Sequence, residues 1–116
     1  MKVAFLGLGA IGAPMARHLA PRYELSVWNR TASKAIAFAK ETSSRSAGSP
    51  ADAVRGAAVA ITCLPTSREV ESLLDGGDGM VGAFESGATL IDCTSGDPAT
   101  SRRVAARLVE STCVGI

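Results

Sequence analysis

The protein is a chain of 116 residues with a formal net charge of +1, and 47% of its residues are hydrophobic. A chain of this length can bury a hydrophobic core as one domain and is too short for two domains. The near-zero charge excludes general attraction to nucleic acid or to an anionic membrane, and no apolar run approaches the roughly 20 residues that cross a bilayer. We therefore expect a single domain that binds neither nucleic acid nor membrane.

Two features of the sequence bear on the cellular compartment. The apolar stretch from Val3 to Ala16 follows a lysine, as in a signal peptide, but three glycines and a proline interrupt it. The three cysteines, Cys63, Cys93 and Cys113, include no pair with the C-x-x-C spacing of a zinc or redox site, and the first two fall in or directly after predicted strands. These observations favour a reducing, cytoplasmic compartment and predict no metal site.

In chain order, strands and helices are predicted to alternate. Short apolar or alternating runs predict strands at residues 2–6, 23–28, 58–64 and 88–92, with a very short strand within 42–48. A first helix is predicted after a glycine motif, with Ile11, Met15 and Leu19 as its apolar stripe and Pro21 as its end, and a second from Thr31 through Ile36, Phe38 and Ala39 to about Glu41. Two more helices are predicted to begin at the Ser49–Asp52 and Thr66–Glu69 capping boxes. A last helix is predicted from Asp97-Pro98, with Val104, Ala105 and Leu108 buried and Arg102, Arg103 and Arg107 in solvent. One helical turn is predicted at residues 80–84. This order predicts parallel strands with right-handed crossovers, a doubly wound, mostly parallel α/β sheet.

The first predicted strand runs directly into the motif G-x-G-x-x-G, formed by Gly7, Gly9 and Gly12. In a strand–loop–helix unit the first glycine permits the tight turn, the second lets a pyrophosphate approach the backbone, and the third lets the helix pack close to the strand. The N–H groups and dipole of the helix then face the phosphates. We interpret the motif as the phosphate loop of a Rossmann-type dinucleotide-binding domain; the alternative is a glycine-rich turn in a ligand-free α/β domain.

The end of the second predicted strand indicates which dinucleotide binds. Domains that bind NAD usually place Asp or Glu there, to accept hydrogen bonds from ribose hydroxyls. This chain has Asn29, Arg30 and Thr31 instead, with no acid to repel a 2′-phosphate. Asn29 and Thr31 can donate hydrogen bonds to that phosphate and Arg30 can pair with it, so the sequence favours NADP(H). The alternative interpretation of Arg30 is a solvated turn residue.

Four stretches together resemble the N-terminal domain of the β-hydroxyacid dehydrogenase family, which includes 3-hydroxyisobutyrate dehydrogenase and is related to 6-phosphogluconate dehydrogenase. The stretches are GLGAIGAPMARHL, VWNRT, TCLPTSREV and IDCTSGDPATSRRVA, and the resemblance covers about residues 2–110. It implies cofactor contacts from Gly7, Leu8, Gly9, Ala10, Ile11 and Gly12 in the phosphate loop, from Asn29, Arg30 and Thr31, from Leu64, Pro65 and Glu69, and from Ser95.

The resemblance also implies that residues 92–98 lie beside nicotinamide and substrate, with Thr94 and Ser95 as the substrate contacts. Asp97 is interpreted as a helix cap. Asp92 is interpreted as either a structural hydrogen-bonding residue or a site residue. His18 is interpreted as a surface residue of the first helix, since it lies helical turns beyond the phosphate loop.

Two further motifs of the family are not found in this sequence. One is a glycine pattern after an Asp-Ala-Pro-Val strand, which binds the substrate carboxylate, and the other is a proton-donating lysine in a C-terminal all-helical domain. The lysines here are Lys2, Lys34 and Lys40, none of which matches that position, and the sequence leaves the family pattern after Glu110. A fragment, a splice product and a frameshift would each explain that departure.

We therefore predict that residues 1–116 form the NADP(H)-binding domain of an oxidoreductase that acts on a small 3-hydroxy acid or aldehyde acid, without catalytic residues of its own. A small-molecule substrate would bind only if the missing domain were supplied. In the family, a second domain and a partner subunit cover apolar surface, so an exposed apolar patch and a homo-oligomer are further expectations. The alternatives are a stand-alone nucleotide-binding or sensing module and, less well supported because no acid follows the second strand, a methyltransferase.

Overall fold

A computed structural model describes residues 1–94, 99–100, 102–104, 106 and 114–115 of the chain. The strands are β1 (Lys2–Leu6), β2 (Glu24–Trp28), β3 (Arg45–Ser46), β4 (Val59–Thr62), β5 (Thr89–Asp92) and β6 (Val114–Gly115). The helices are α1 (Gly12–Leu19), α2 (Ala32–Thr42), α3 (Pro50–Val54) and α4 (Ser67–Ser72). Residues 99–100, 102–104 and 106 are also helical.

The described strands form one sheet in the order β3-β2-β1-β4-β5-β6, and every neighbouring pair is parallel. The chain moves outward from β1 to β3 and then returns to build β4 on the other side of β1. This is the strand order of a doubly wound dinucleotide-binding sheet, so the predicted fold class is confirmed. The order reverses between β1 and β4, and ligands of such sheets bind there, outside the carboxyl ends of the strands.

The centre of the sheet is buried on both faces. Residues 3–6 of β1 are at most 3% exposed, because β1 has a strand on each side and packed elements above and below. Phe5 packs on the face covered by α1 and α2, and Leu6 packs on the opposite face. The large buried residues on the Phe5 face are Leu25, Val27 and Phe38. Those on the Leu6 face are Val54, Val70, Leu74, Met80 and Leu90.

The buried face of α1 differs from the predicted stripe. Ile11 lies at the N-cap position and is 72% exposed, and Met15 and Leu19 are only partly buried. The closest packing is made instead by Gly12 and Ala16. Small residues let the helix backbone approach the sheet, so the contact stripe is formed by the residues with the least side chain. The helix ends at Leu19, before Pro21, as predicted.

The two strands on the far side of the switch point are shorter than predicted. β4 ends at Thr62, two residues before its predicted end, so Cys63 follows the strand rather than lying inside it; β5 begins one residue late, at Thr89, and ends at Asp92 as predicted, directly before Cys93. The ladder stops because the Leu64 N–H bonds to the Thr94 hydroxyl oxygen, at 2.9 Å, and not to a neighbouring main-chain carbonyl.

The helix signals are confirmed in most places. Ser49 and Thr66 accept hydrogen bonds from the main-chain N–H groups of Asp52 and Glu69. At residues 80–84 the N–H groups of Ala83 and Phe84 both donate to the Met80 carbonyl, which forms the predicted helical turn.

In α2, Thr31 occupies the N-cap position but its side chain makes no capping hydrogen bond. The helix runs through Ile36, Phe38 and Ala39 as predicted; Ala35, Phe38 and Ala39 are buried and Ile36 is 50% exposed. The helix turns these three residues toward the sheet and leaves Ile36 on the solvent side.

The helical residues after β5 agree with the prediction where they are described. Val104 is 5% exposed, and Arg102 and Arg103 are exposed. The predicted start at Asp97-Pro98 and the predicted roles of residues 105, 107 and 108 lie outside the described residues. None of the described helices combines the length and apolarity required to span a bilayer.

The edge strand β3 is tied to α3 by a charged contact. The Arg45 guanidinium lies 2.6 Å from an Asp52 carboxylate oxygen, and the Gly48 N–H donates to the other oxygen at 3.1 Å. Arg45 and the Gly48 N–H hold the pKa of Asp52 below its ordinary value. The carboxylate is therefore ionised at neutral pH.

Replacing Ser49 by Ala should lower the free energy of unfolding by about 1 kcal/mol, because the α3 cap is lost. Thr31→Ala is the matched control, since Thr31 stands at a cap position without a capping bond, and it should cost much less. Urea denaturation of the cofactor-free protein measures both. Equal losses in the two variants would contradict the assignment.

Candidate functional site

The predicted cofactor residues gather at one edge of the sheet. The carboxyl ends of β1, β2, β4 and β5 lead into the phosphate loop, residues 29–31, residues 63–65 and residues 93–94, respectively. The phosphate loop therefore lies at the switch point between β1 and β4. Ser95 lies outside the described residues.

Two of the three motif glycines are required by the protein itself. Gly7 has φ +106°, in the left-handed region, and a Cβ there would overlap the carbonyl of Cys63. A Cβ on Gly12 would overlap the carbonyl oxygen of Gly7 and lie 3.3 Å from the Phe5 ring. The predicted tight turn and close helix packing are thus both present, and Gly7 also makes room for the end of β4.

At Gly9, neither a steric contact within the protein nor a positive φ requires glycine. A Cβ at this position would meet no atom within 4 Å, and its φ is outside the left-handed region. The space in front of Gly9 is open to solvent. This is the geometry expected where a ligand, and not the protein, approaches the backbone.

The main-chain donors around Gly9 are also free. The α1 ladder begins with the Ala13 N–H, which donates to the Gly9 carbonyl at 3.0 Å. The N–H groups of residues 9–12 donate to no residue in the described part of the chain. A helix N-terminus with unsatisfied N–H groups and a positive dipole end favours an anion.

The phosphate loop is attached to the end of β2 by two hydrogen bonds. The Gly7 N–H donates to the Trp28 carbonyl, and the Leu8 N–H donates to Asn29 Oδ1, both at 2.9 Å. Asn29 Nδ2 donates to the Thr31 carbonyl at 3.2 Å. Both partners of Asn29 are main-chain groups, so the orientation of its amide is unambiguous.

Asn29 therefore positions the loop, a role that the sequence analysis missed. The sequence does place this short amide side chain directly after β2, the strand next to the glycine turn, and that position is the signal of such a role. The second Nδ2 hydrogen stays available for a ligand.

The surface beyond β2 carries unneutralised positive charge. Arg30 and Lys34 are exposed and make no ion pair or side-chain hydrogen bond within the described residues. The next acidic residue along the chain is Glu41, which pairs with Arg17 at 3.0 Å. The end of β2 can thus receive an anion without displacing an existing salt bridge.

At the other end of the site, hydrogen bonds join β4 to β5. Asp92 Oδ1 accepts from the Thr62 hydroxyl and from the Thr94 N–H, each at 2.9 Å. The Thr94 oxygen in turn accepts from the Leu64 N–H. Asp92 thus has a structural hydrogen-bonding role, one of the two that its position suggested, and Thr94 is fixed beside Leu64.

The remaining predicted residues lie nearby or at the surface. The Leu64 side chain reaches to 3.0 Å from the Cβ position of Gly7, which brings it next to the phosphate loop. Pro65 is exposed, and Glu69 lies in the first turn of α4. His18 is exposed in α1, in agreement with its interpretation as a surface residue.

An open groove of about 280 Å³ lies between α1 and α2 and borders the phosphate loop at Leu8. It is lined mainly by helix side chains, including Ala13, Arg17, Lys34, Phe38 and Glu41. Arg17 stacks 5.8 Å above the Phe38 ring and pairs with Glu41. Arg17 and Glu41 are thus engaged with each other, whereas Lys34 in the same lining has no ion-pair partner among the described residues. The described residues contain no cluster of three or more metal-ligating side chains.

Comparison with known proteins agrees with this geometry. Residues 2–116 match the sequence profile of the NAD-binding domain of 6-phosphogluconate dehydrogenase. The chain belongs to this family. The match runs through residue 116, and β6 pairs in parallel with β5 in this last segment.

Two relatives of this family member come from Pseudomonas aeruginosa. A 3-hydroxyisobutyrate dehydrogenase is 38% identical over 104 residues, and an NAD-dependent L-serine dehydrogenase is 36% identical over 106 residues. Each alignment covers 89% of this chain and 35% of the relative. The chain thus spans about a third of the length of these relatives.

Solved structures of similar proteins share the fold. The 3-hydroxyisobutyrate dehydrogenase of Mycobacterium tuberculosis with L-serine superposes with a TM-score of 0.88 at 27% identity, over 98% of this chain and 38% of that one. The reductive aminase of Aspergillus terreus in complex with NADPH and ethyl levulinate has a TM-score of 0.78 at 28% identity, over 98% and 39%. The chain is therefore a nicotinamide dinucleotide-binding domain of the oxidoreductase type.

Substitution should destabilise the protein strongly at Gly7 and hardly at all at Gly9. Gly7→Ala should lower the free energy of unfolding by at least about 2 kcal/mol, since it combines positive φ with overlap on Cys63, whereas Gly9→Ala should stay within about 0.5 kcal/mol of the parent. Thermal and urea unfolding without cofactor measure this. A destabilised Gly9→Ala would show that the protein itself needs this glycine.

Proposed function

We propose that this chain is the NADP(H)-binding domain of an oxidoreductase that acts on a small 3-hydroxy acid or aldehyde acid. The observation that carries the proposal is the open backbone at Gly9, with free N–H groups around it. The membership of the 6-phosphogluconate dehydrogenase family supports the cofactor class, and the similarity to 3-hydroxyisobutyrate dehydrogenases supports the substrate class.

The pyrophosphate would lie against residues 9–12. Their N–H groups lack partners among the described residues, so a bound phosphate oxygen would gain hydrogen bonds without breaking existing ones. The exposed side chain of Ile11 stands at the same N-terminus, where it can cover the bound dinucleotide. This explains why a large apolar residue is left out of the α1 packing face.

The 2′-phosphate would lie beyond β2. Among the described residues Arg30 has no partner to give up, and the second Nδ2 hydrogen of Asn29 has no acceptor. No acidic side chain stands between residues 29 and 40, so the local charge attracts the additional phosphate. The named relatives include both an NAD-dependent enzyme and an NADPH complex, and the preference for NADP(H) rests on these residues.

The nicotinamide, when bound, supplies or accepts the hydride. In this chain the residues expected beside it are Leu64 and Thr94, joined by the hydrogen bond from the Leu64 N–H, together with Ser95. Their role is to fix the ring and one side of the substrate. The proton that accompanies the hydride needs an acid or base within hydrogen-bond reach, which we assign to a lysine on a further domain and not to residues 1–116. The domain alone would thus bind cofactor without turnover.

Calorimetric titration of the purified chain with NADP⁺ and with NAD⁺ tests the proposal. We expect NADP⁺ to bind at least tenfold more tightly, a difference of about 1.4 kcal/mol. Arg30→Ala should weaken NADP⁺ binding about ten- to a hundredfold with little effect on NAD⁺, since hydrogen bonds to charged groups contribute about 1.5–3 kcal/mol. Arg22→Ala is the charge-matched control, because Arg22 is exposed between α1 and β2, at the opposite edge of the sheet. Equal binding of the two dinucleotides by the parent would be consistent with the fold but would refute the NADP(H) preference.

Asn29→Asp should abolish the preference for NADP⁺ while keeping the acceptor of the Leu8 N–H, although the Nδ2 bond to the Thr31 carbonyl is lost. The new carboxylate oxygen can still accept from the Leu8 N–H, but it repels a 2′-phosphate and accepts from ribose hydroxyls. We expect at least a tenfold loss for NADP⁺ and no loss for NAD⁺ in the same titration. Asn29→Ala removes the acceptor of Leu8 and should weaken both dinucleotides. An Asn29→Asp protein that loses both equally would show that the amide acts only through the loop.

A further inference from the structure

Cys63 and Cys93 occupy equivalent positions one residue after β4 and β5. At the start of this pair, Thr89 lies opposite Val59, and the Thr89 N–H donates to the carbonyl of Ala58, the residue before Val59. The same relation recurs at the end, where the Cys93 N–H donates to the Thr62 carbonyl at 2.8 Å. Cys93 is therefore opposite Cys63, in continuation of the strand register.

Cross-strand hydrogen bonds hold this pair of cysteines on both sides. Before it, the Thr62 hydroxyl donates to Asp92; after it, the Leu64 N–H donates to the Thr94 oxygen. Neighbouring strands lie about 4.8 Å apart, within the Cα separation of roughly 4.4–6.8 Å that a disulfide spans. The backbone thus has the spacing of a disulfide while both thiols are free.

The two thiols also share a face of the sheet. The side chains of Thr62 and Asp92 meet on one face, so the residues that follow them project to the other. Cys63 packs there at the border of the core that contains Phe5. Cys93 is exposed and Cys63 is half-buried. Burial, with the nearby Cys93 and Asp92, raises the pKa of the Cys63 thiol.

We propose that Cys63 and Cys93 form a redox-active dithiol that is oxidised to an intramolecular disulfide by exchange with low-molecular-weight disulfides. This site is independent of the proposed cofactor. In the first step the exposed Cys93 loses its proton and attacks one sulfur of the small disulfide; that S–S bond breaks, and the leaving thiolate takes up a proton. In the second, Cys63 loses its proton and attacks the Cys93 sulfur, which releases the second small thiol. The protein dithiol is oxidised by two electrons, and the small disulfide is reduced to two thiols.

The disulfide would join two of the strands that carry the candidate site. The Cys63 carbonyl lies against Gly7 of the phosphate loop, and Cys93 directly precedes Thr94. Oxidation would therefore bridge the phosphate-loop side and the expected nicotinamide side of the same edge. The oxidant class is any small disulfide, for which oxidised glutathione is the probe.

The experiment treats the reduced full chain with oxidised glutathione, followed by alkylation of free thiols, intact mass measurement and peptide mapping. Cys113 lies outside the described residues, so Cys113→Ser is the reference variant. We expect the treated Cys113→Ser protein to be lighter than the reduced protein by two hydrogen atoms and to carry no glutathione. The peptides that contain Cys63 and Cys93 should be linked. Adding Cys63→Ser to the reference should trap one glutathione on Cys93.

Two results would overturn the proposal. One is a stable glutathione adduct on Cys93 of the Cys113→Ser protein while Cys63 remains open to alkylation. The other is a disulfide of the parent chain that joins Cys113 to either remaining cysteine in place of the expected pair. Because Cys63→Ser could impair folding, phenylarsine oxide titration of reduced Cys113→Ser gives a second reading. A paired dithiol binds one arsenical per chain and loses it to excess dithiothreitol but not to an equal concentration of a monothiol, whereas separate thiols lose it to both.

Discussion

The structure depends on the crowding of the chain where it leaves β1. Gly7 must turn between two neighbours, since its N–H donates to the Trp28 carbonyl on one side and its Cα faces the Cys63 carbonyl on the other. Only a residue without Cβ and with positive φ meets both conditions. This turn directs the chain into α1 and leaves the N–H groups of residues 9–12 without partners among the described residues. The anion-binding character of the loop is therefore a consequence of how β1 is packed, and not an addition to the fold.

The two sides of the candidate site differ in how they are held. At β2 the site is an exposed cationic surface, where Arg30 has freedom to reorient. At β4 and β5 it is a set of short neutral and charge-assisted hydrogen bonds around Asp92. The proposed ligand NADP(H) has the same asymmetry, with a 2′-phosphate at its adenosine end and a nicotinamide ring that must be held at a defined angle for hydride transfer. A flexible side chain suits the first and a rigid edge suits the second.

Much of this could be predicted from the sequence, because its strongest signals are local. The buried run of β1, the glycine spacing and the capping boxes at Ser49 and Thr66 depend on residues that are close in the chain, and each is confirmed. The errors arise where tertiary packing decides. Ile11 was assigned to the core by periodicity, but close helix packing selected Gly12 and Ala16. The Asn29 bond to Leu8 spans 21 residues and could not be read from spacing.

The edge of the sheet at β3 has a consequence for the behaviour of the protein in concentrated solution. An outer strand offers unpaired main-chain groups to any other strand, which is a common route to aggregation. Here that strand has two residues, one of which is an arginine held by Asp52 through a contact that stays ionic at neutral pH. A second chain would find almost no length of backbone to pair with, and would have to displace a charge to do so. The shortness of β3 thus protects a sheet of parallel strands against self-association at this edge.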